Sequence, residues 1–265
     1  MTKTALITGA SKGIGLALAH VFAKEKHNVI LVARSEDQLR ALQQELTEKY
    51  EVDAVVLSHD LTNQAEIQQL FDQVQQQGLT VDVLVNNAGY GDYGEFAAAD
   101  WDKLDGMIKL NILALTQLTK LFLPGMIQRG YGKILNLGST ASFQPGPRMA
   151  IYFASKAYVL SFSEAIAAET EGTGVSVTVL CPGPTQSNFG QVAGMSEIAL
   201  MGDVTSDKLP SAQEVAEYGY QALQKGEVVA VHSWVNKILT FMPRLTPRKV
   251  IRYGVKKFMT PEQQA

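Results

Sequence analysis

The chain has 265 residues, 46% of them hydrophobic and 18% charged, with a formal net charge of −3. That apolar content excludes a disordered chain, the 22 glycines show no short fibrous period, and the slight acidity gives no general case for nucleic-acid binding. One cysteine, Cys181, excludes a disulfide scaffold and, with only four histidines, argues against a Cys/His metal cluster, so no metal site is expected.

Residues 1–7 run straight into a glycine-rich turn with no small-residue cleavage site, unlike a targeting peptide. No stretch reaches the roughly 18 uninterrupted apolar residues of a spanning helix, and a soluble, cytoplasmic chain is expected. Short runs rich in Val, Ile and Leu at 4–7, 29–32, 54–57, 81–85, 133–137 and 175–180 have the make-up of strands buried on both faces. They alternate with longer amphipathic segments at 16–23, 36–49, 64–76, 101–123 and 152–169. A further helix at 212–225 precedes a seventh strand at 227–231. Such alternation implies parallel pairing through right-handed crossovers. The expected architecture is therefore α/β, a single-domain doubly wound parallel sheet (Rossmann fold) flanked by helices. It covers residues 1–231, including an aperiodic loop at 184–210 whose length marks it as functional, and an extension follows over 232–265.

The first strand ends in Thr8-Gly9-Ala10-Ser11-Lys12-Gly13-Ile14-Gly15. Glycines here permit a tight turn and close approach of a pyrophosphate, whose charge is favoured at a helix N-terminus. The spacing is G-x-x-x-G-x-G rather than G-x-G-x-x-G, and the G-K-[ST] ending of a P-loop is missing. Such a turn can be a plain bend, but its place after the first strand of an alternating chain favours a dinucleotide. Where an NAD-selective site usually carries an acid, the second strand ends in Arg34, and Lys12 lies in the first turn. Two cations suit a 2′-phosphate, so NADP(H) is the expected cofactor. Glu36 and Asp37 fall in the first turn of the next helix, where acids complement its dipole.

Tyr152 and Lys156 are spaced i, i+4 and share one helix face. An ammonium beside the phenol, with the positive charge of an oxidised nicotinamide, would lower a pKa that is ordinarily near 10. Ser139 follows a buried strand and can meet Tyr152 at the sheet's carboxyl edge, holding a carbonyl oxygen while the phenol supplies a proton.

With these residues stand Asp60, Asn86-Asn87-Ala88-Gly89, Asn111 and Pro182-Gly183, in an order and at spacings that resemble the short-chain dehydrogenase/reductase family over nearly the whole chain. The resemblance implies Tyr152 as catalytic acid or base. It makes Lys156 the ligand of the nicotinamide ribose, Ser139 the orienter of the carbonyl and Asn111 the support of a water-linked proton relay. It places Gly9, Ser11, Gly13, Ile14 and Gly15 at the pyrophosphate, Asp60 and Leu61 at the adenine, and Asn86, Ala88 and Gly89 along the adenosine ribose. Asn87 is expected to steady the sheet. After Pro182-Gly183 the chain offers Thr185 and Ser187 for the carboxamide, one of them in place of the family's usual threonine. The resemblance also implies a homodimer or homotetramer, with 101–123 and 152–169 as contact helices.

Candidate pocket residues are Tyr90, Tyr93, Phe143, Gln144, Met149, Phe189, Met195 and Met201, whose aromatic and thioether character favours an apolar substrate. Arg148 is expected to be solvated rather than to meet an anionic group. Residues 232–259 carry Lys237, Arg244, Arg248, Lys249, Arg252, Lys256 and Lys257 with no acid. Apolar residues recur there at helical spacing, and Pro243 and Pro247 are expected to divide the segment. Capping of the pocket or a subunit contact is the favoured role for this extension; contact with an anionic membrane surface is the other. The expected activity is NADPH-dependent reduction of a carbonyl on an apolar small molecule. The alternatives are a 3-oxoacyl-thioester reductase of fatty-acid metabolism and, in a different class, a catalytically silent NADP-sensing regulator.

Overall fold

In the computed structural model, residues 2–187, 189–194 and 209–260 are described. The strands are β1 (Thr4–Thr8), β2 (Asn28–Ala33), β3 (Ala54–Ser58), β4 (Val83–Asn86), β5 (Gly132–Leu137), β6 (Val175–Cys181) and β7 (Val229–Val231). They form one sheet in the order β3-β2-β1-β4-β5-β6-β7, every pairing parallel. Interleaved are α1 (Gly13–Lys24), α2 (Glu36–Tyr50), α3 (Gln64–Gln76), α4 (Trp101–Ile108), α5 (Leu115–Arg129), α6 (Ala150–Glu169), the short α7 (Phe189–Val192) and α8 (Ala212–Lys225). Two helices, α9 (Trp234–Leu245) and α10 (Arg248–Met259), follow the last strand. This is the doubly wound sheet that the alternation predicts.

The pleat explains how one apolar strand serves two layers. Ala5 and Ile7 of β1 pack with Leu18 and Phe22 of α1 and Leu223 of α8, whereas Leu6 between them packs with Ile67 of α3 and Phe122 of α5. The chain winds outward from β1 through β2 to β3 and then returns to β4 on the other side of β1. The switch point therefore lies between the carboxyl ends of β1 and β4, where open α/β sheets bind ligands.

Strand and helix ends otherwise shift by at most two residues, and three helix boundaries depart further from the sequence pattern. Helix α1 begins at Gly13 rather than Leu16, so its first amides belong to the glycine turn. The fourth helical segment continues past Pro124 to Arg129, because the proline is solvent-facing and Met126 beyond it is buried. Pro243 sits inside α9, and only Pro247 separates the two C-terminal helices. The continuous helix Trp101–Arg129 is long and apolar enough by composition to cross a membrane, but its Leu104, Met107, Leu118, Phe122 and Met126 are buried in the fold.

Candidate active site

At the end of β1, Gly9 (φ +66°) and Gly13 (φ +59°) adopt the left-handed backbone that glycine alone takes freely. A Cβ at Gly15 would run into the Gly9 carbonyl oxygen and the Asn87 side chain, so α1 starts this close to the turn only because the residue is glycine. The turn is stapled to the end of β4. The Asn87 amide donates to the carbonyls of Thr8 (2.8 Å) and Gly9 (3.3 Å), and Thr8 Oγ1 accepts from the backbone N–H groups of Asn87 (2.9 Å) and Ala88 (3.0 Å). No side chain caps α1 at Lys12, which leaves a helix N-terminus disposed toward an anion. Ser11 and Ile14 are half-buried in this turn, and Lys12 is exposed.

The remaining cofactor candidates ring that turn. Arg34 is exposed one residue beyond β2, whose end meets the turn through Ala10 N–H donating to the Val32 carbonyl (3.3 Å). Asp60 braces the entry to α3 by accepting from Thr62 N–H (3.0 Å) and Thr62 Oγ1 (2.9 Å), while Leu61 is buried in the layer of α3 and α5. The Asn86 side chain turns inward, donating to Asn136 Oδ1 (2.9 Å) and Thr119 Oγ1 (3.2 Å), so this asparagine steadies the sheet and Asn87 holds the glycine turn. Across the cleft, Thr140 N–H donates to the Pro182 carbonyl (2.9 Å) and Thr185 Oγ1 to the Gly183 carbonyl (3.0 Å). Ser187 lies over the turn, its Cβ 3.7 Å from where a Gly13 Cβ would be, and accepts from Phe189 N–H at 3.4 Å. A cradle lined by glycines and an uncapped helix fits a pyrophosphate.

Ser139, Tyr152 and Lys156 meet beside this cradle. Ser139, just past β5, caps the 3₁₀ turn Thr140–Phe143, its Oγ accepting from Ala141 N–H at 3.1 Å. Ser142 of that turn donates to the Lys156 carbonyl (2.8 Å) and so fixes α6 against the end of β5. From α6 the Lys156 side chain, 6% exposed, reaches back to donate to the Leu137 carbonyl at 2.6 Å, with its ammonium 5.8 Å from the centroid of the Tyr152 ring. Burial pushes the Tyr152 phenol up to about 12, opposed by a hydrogen bond with Ser139. Burial also pulls the Lys156 ammonium down to about 8 and pushes the Cys181 thiol up to about 12. At Tyr152 desolvation outweighs the hydrogen bond with Ser139.

Asn111 arrives from a π-helical stretch, Lys109–Ala114, that joins α4 to α5; such widened turns are frequent at functional sites. Its amide donates to the Tyr90 carbonyl (2.9 Å) and Ser155 Oγ (3.1 Å), and its Oδ1 accepts from Tyr90 N–H (3.1 Å). Gly89 lies between this amide and the lysine, since a Cβ there would sit 2.9 Å from Asn111 Oδ1 and 3.8 Å from Lys156 Nζ.

A family model described as short chain dehydrogenase matches residues 3–196. The chain belongs to the short-chain dehydrogenase family. It is 39% identical over 184 residues to the very-long-chain 3-oxoacyl-CoA reductase of Anas platyrhynchos, covering 67% of this chain and 58% of that protein. The chain thus spans less than two thirds of the length of this relative. Over 223 residues it is 36% identical to sulfoacetaldehyde reductase 2 of Chromohalobacter salexigens, covering 82% of this chain and 86% of that one. Among solved structures, a short-chain dehydrogenase from Sphingobium yanoikuyae in complex with NADPH superposes with a TM-score of 0.80 at 30% identity, over 99% and 98% of the two chains.

In this dehydrogenase the wall beside Tyr152 is apolar. Met149, Phe153 and Phe189 cluster with Tyr93 and Tyr152, and the Phe189 ring lies 5.0 Å from the tyrosine ring. Of the other pocket candidates, Tyr90 commits its hydroxyl to the Lys103 carbonyl (2.8 Å), and Phe143 packs with Val159, Val179 and Val231. Gln144 ends the 3₁₀ turn, and Met195 and Met201 lie outside the described residues. Sequence reasoning expected the extension to cap the pocket or make a subunit contact, without placing Val255 and Met259 beside Tyr152. Val255 and Met259 join the Tyr152 cluster, and the Tyr93 hydroxyl donates to the Met259 carbonyl at 2.6 Å. The signal was present as the apolar i, i+4 pair within the basic extension. Arg148 is occupied, pairing with Glu95 at 2.8 Å and donating to the Tyr93 hydroxyl at 3.2 Å.

Proposed function

We propose that this chain reduces the carbonyl of an apolar small molecule to an alcohol with NADPH, Tyr152 being the proton donor. A nicotinamide dinucleotide, when bound, supplies the hydride. The chain's own groups do the rest. The glycine cradle and the α1 N-terminus would hold the pyrophosphate, with Arg34 and Lys12 toward a 2′-phosphate. Ser139 would hold the carbonyl oxygen, and the Tyr152 hydroxyl would pass its proton to that oxygen as negative charge builds on it. Lys156, on the other side of Gly89 from Asn111, stands where a replacement proton would arrive. We further infer a homodimer or homotetramer formed through the helices 101–129 and 150–169, where Trp101, Leu113, Ile127 and Tyr158 stay exposed.

The observation that carries this reading is the convergence of Ser139, Tyr152 and Lys156 at the carboxyl edge of the sheet beside the glycine turn. A protein that only senses nucleotide needs no buried proton donor of this kind. The apolar wall and the occupied Arg148 support an uncharged substrate end rather than an anionic one, such as the sulfonate that the Chromohalobacter relative's name implies. The name of the Anas relative supports a long 3-oxoacyl thioester as the second reading, one compatible with the same wall. Replacing Tyr152 by Phe should leave NADPH affinity within about twofold, as judged by fluorescence titration, while lowering kcat by at least about a hundredfold. The rates should be followed by NADPH oxidation against aldehydes, ketones and 3-oxoacyl thioesters. Wild-type turnover by that variant would refute the assignment.

A further inference from the structure

The C-terminal extension contains a helix turned inside out. Toward the protein, α9 presents Asn236, which packs on Gly183, and the buried Thr240. Both are tied into the helix, Asn236 donating to the His232 carbonyl and Thr240 Oγ1 to the Asn236 carbonyl, each at 2.8 Å. Toward solvent it presents Trp234, Val235, Ile238, Leu239, Phe241 and Leu245, with Trp234 and Leu245 exposed by 73% and 72%. A surface helix in water has the reverse arrangement, and a contiguous exposed apolar face of this kind marks an interaction surface. In α10, Ile251, Val255 and Met259 turn inward, but Tyr253 (75% exposed) and Phe258 project among Arg248, Lys249, Arg252, Lys256 and Lys257. The extension's seven cations have no acid among residues 232–260, and among the described residues none forms an ion pair with a carboxylate.

We propose that α9 and α10 form a docking surface for an anionic lipid bilayer, lying in its headgroup region with the apolar residues in the acyl boundary. Charge decides the occupant. A second copy seated symmetrically on this face would bring its own seven cations against these seven, and like charges at an interface oppose association. A bilayer bearing anionic headgroups meets both features at once, the apolar face by burial and the cationic rim by attraction. Trp234 and Tyr253 are ring types that settle at the headgroup level. The inner side of α10 borders Tyr152 through Val255 and Met259, so docking sets the reacting cleft next to the membrane surface.

Flotation of the full chain with phosphatidylcholine vesicles, with and without phosphatidylglycerol, tests the proposal. The protein should float only with the anionic vesicles and be released by high salt. The charge reversal R248E/K249E/R252E should weaken the association at least about tenfold. The apolar-face variant W234S/F241S/L245S should abolish it. In a W101F background, Trp234 emission should shift to the blue on vesicle addition. Far-UV circular dichroism and NADPH turnover in solution should match wild type for the charge-reversal chain, which changes only exposed residues and keeps the test valid if the apolar variant misfolds. Three results would overturn the proposal. They are no flotation of the wild type, equal flotation on pure phosphatidylcholine, and sedimentation velocity showing that these residues hold an oligomer together in a protein that does not float.

Discussion

Lys156 gives the sharpest test of the site's electrostatics. Its ammonium is almost wholly buried and its pKa is pulled from 10.5 to about 8. Two and a half pKa units correspond to roughly 3 kcal/mol of penalty on the charged form in the folded protein. The sign follows from proton counting. Below about pH 8 both states carry the charge and the folded state bears the whole penalty. Between about 8 and 10.5 only the unfolded state binds the proton, so stability rises with pH; above 10.5 the penalty is gone. Urea unfolding of the unliganded chain should therefore be compared with that of Lys156→Met across this window. Tyr152 and Cys181, both raised to about 12, pull stability the other way at alkaline pH; burial is the main cause for both and acts in both proteins, while Lys156 lowers only the Cys181 thiol and to a lesser degree. The Leu137 carbonyl left without its donor lowers the variant's stability by the same amount at every pH. The wild type should gain about 2 kcal/mol on the variant between pH 7 and about 9.5, and the rest beyond. Parallel stability curves would refute the claim that Lys156 is held charged against desolvation.

Two further substitutions probe the cofactor cradle. Gly15→Ala places a methyl against the Gly9 carbonyl and the Asn87 amide, neither of which can yield. It should cost about 1–3 kcal/mol, read as a lower Tm, and should weaken NADPH binding; wild-type values for both would show that the turn tolerates side chains. Arg34→Glu should lower kcat/KM for NADPH by about tenfold or more while leaving NADH use little changed, and an equal loss with both cofactors would remove the 2′-phosphate role of Arg34.

The sheet was legible because its strands are covered on both faces and therefore read as unbroken apolar runs. The cradle was legible because glycines at 9, 13 and 15, directly after a strand, are what a tight strand-to-helix turn around a pyrophosphate demands. The reacting trio was legible for a different reason: Tyr152 and Lys156 share a helix face whatever the tertiary structure does. Contacts made across the fold left weaker traces. Nothing local distinguishes Phe143, which ends the 3₁₀ turn and packs with Val159, Val179 and Val231, from Phe189, which opens α7 against Tyr152; the choice is made by packing across the fold. Asn86 and Asn87 are adjacent and identical in chemistry, yet the strand pleat sends the first into the interior and leaves the second to hold the glycine turn. Pro124 announces a helix end that burial of Met126 overrides.

The same burial that assembles the trio also sets the character of the cleft. Desolvation moves the Tyr152 phenol, the Lys156 ammonium and the Cys181 thiol each toward its neutral form. On the Tyr93 side, Arg148 pairs with Glu95. On the proposed reading, such a cleft would disfavour a charged reacting end, which would be desolvated with little compensation. Burial thus favours the protonated form of the Tyr152 phenol in the unliganded chain. The shift at Tyr152 follows from burial in the cluster that Met149, Phe153, Phe189 and Met259 form around its ring.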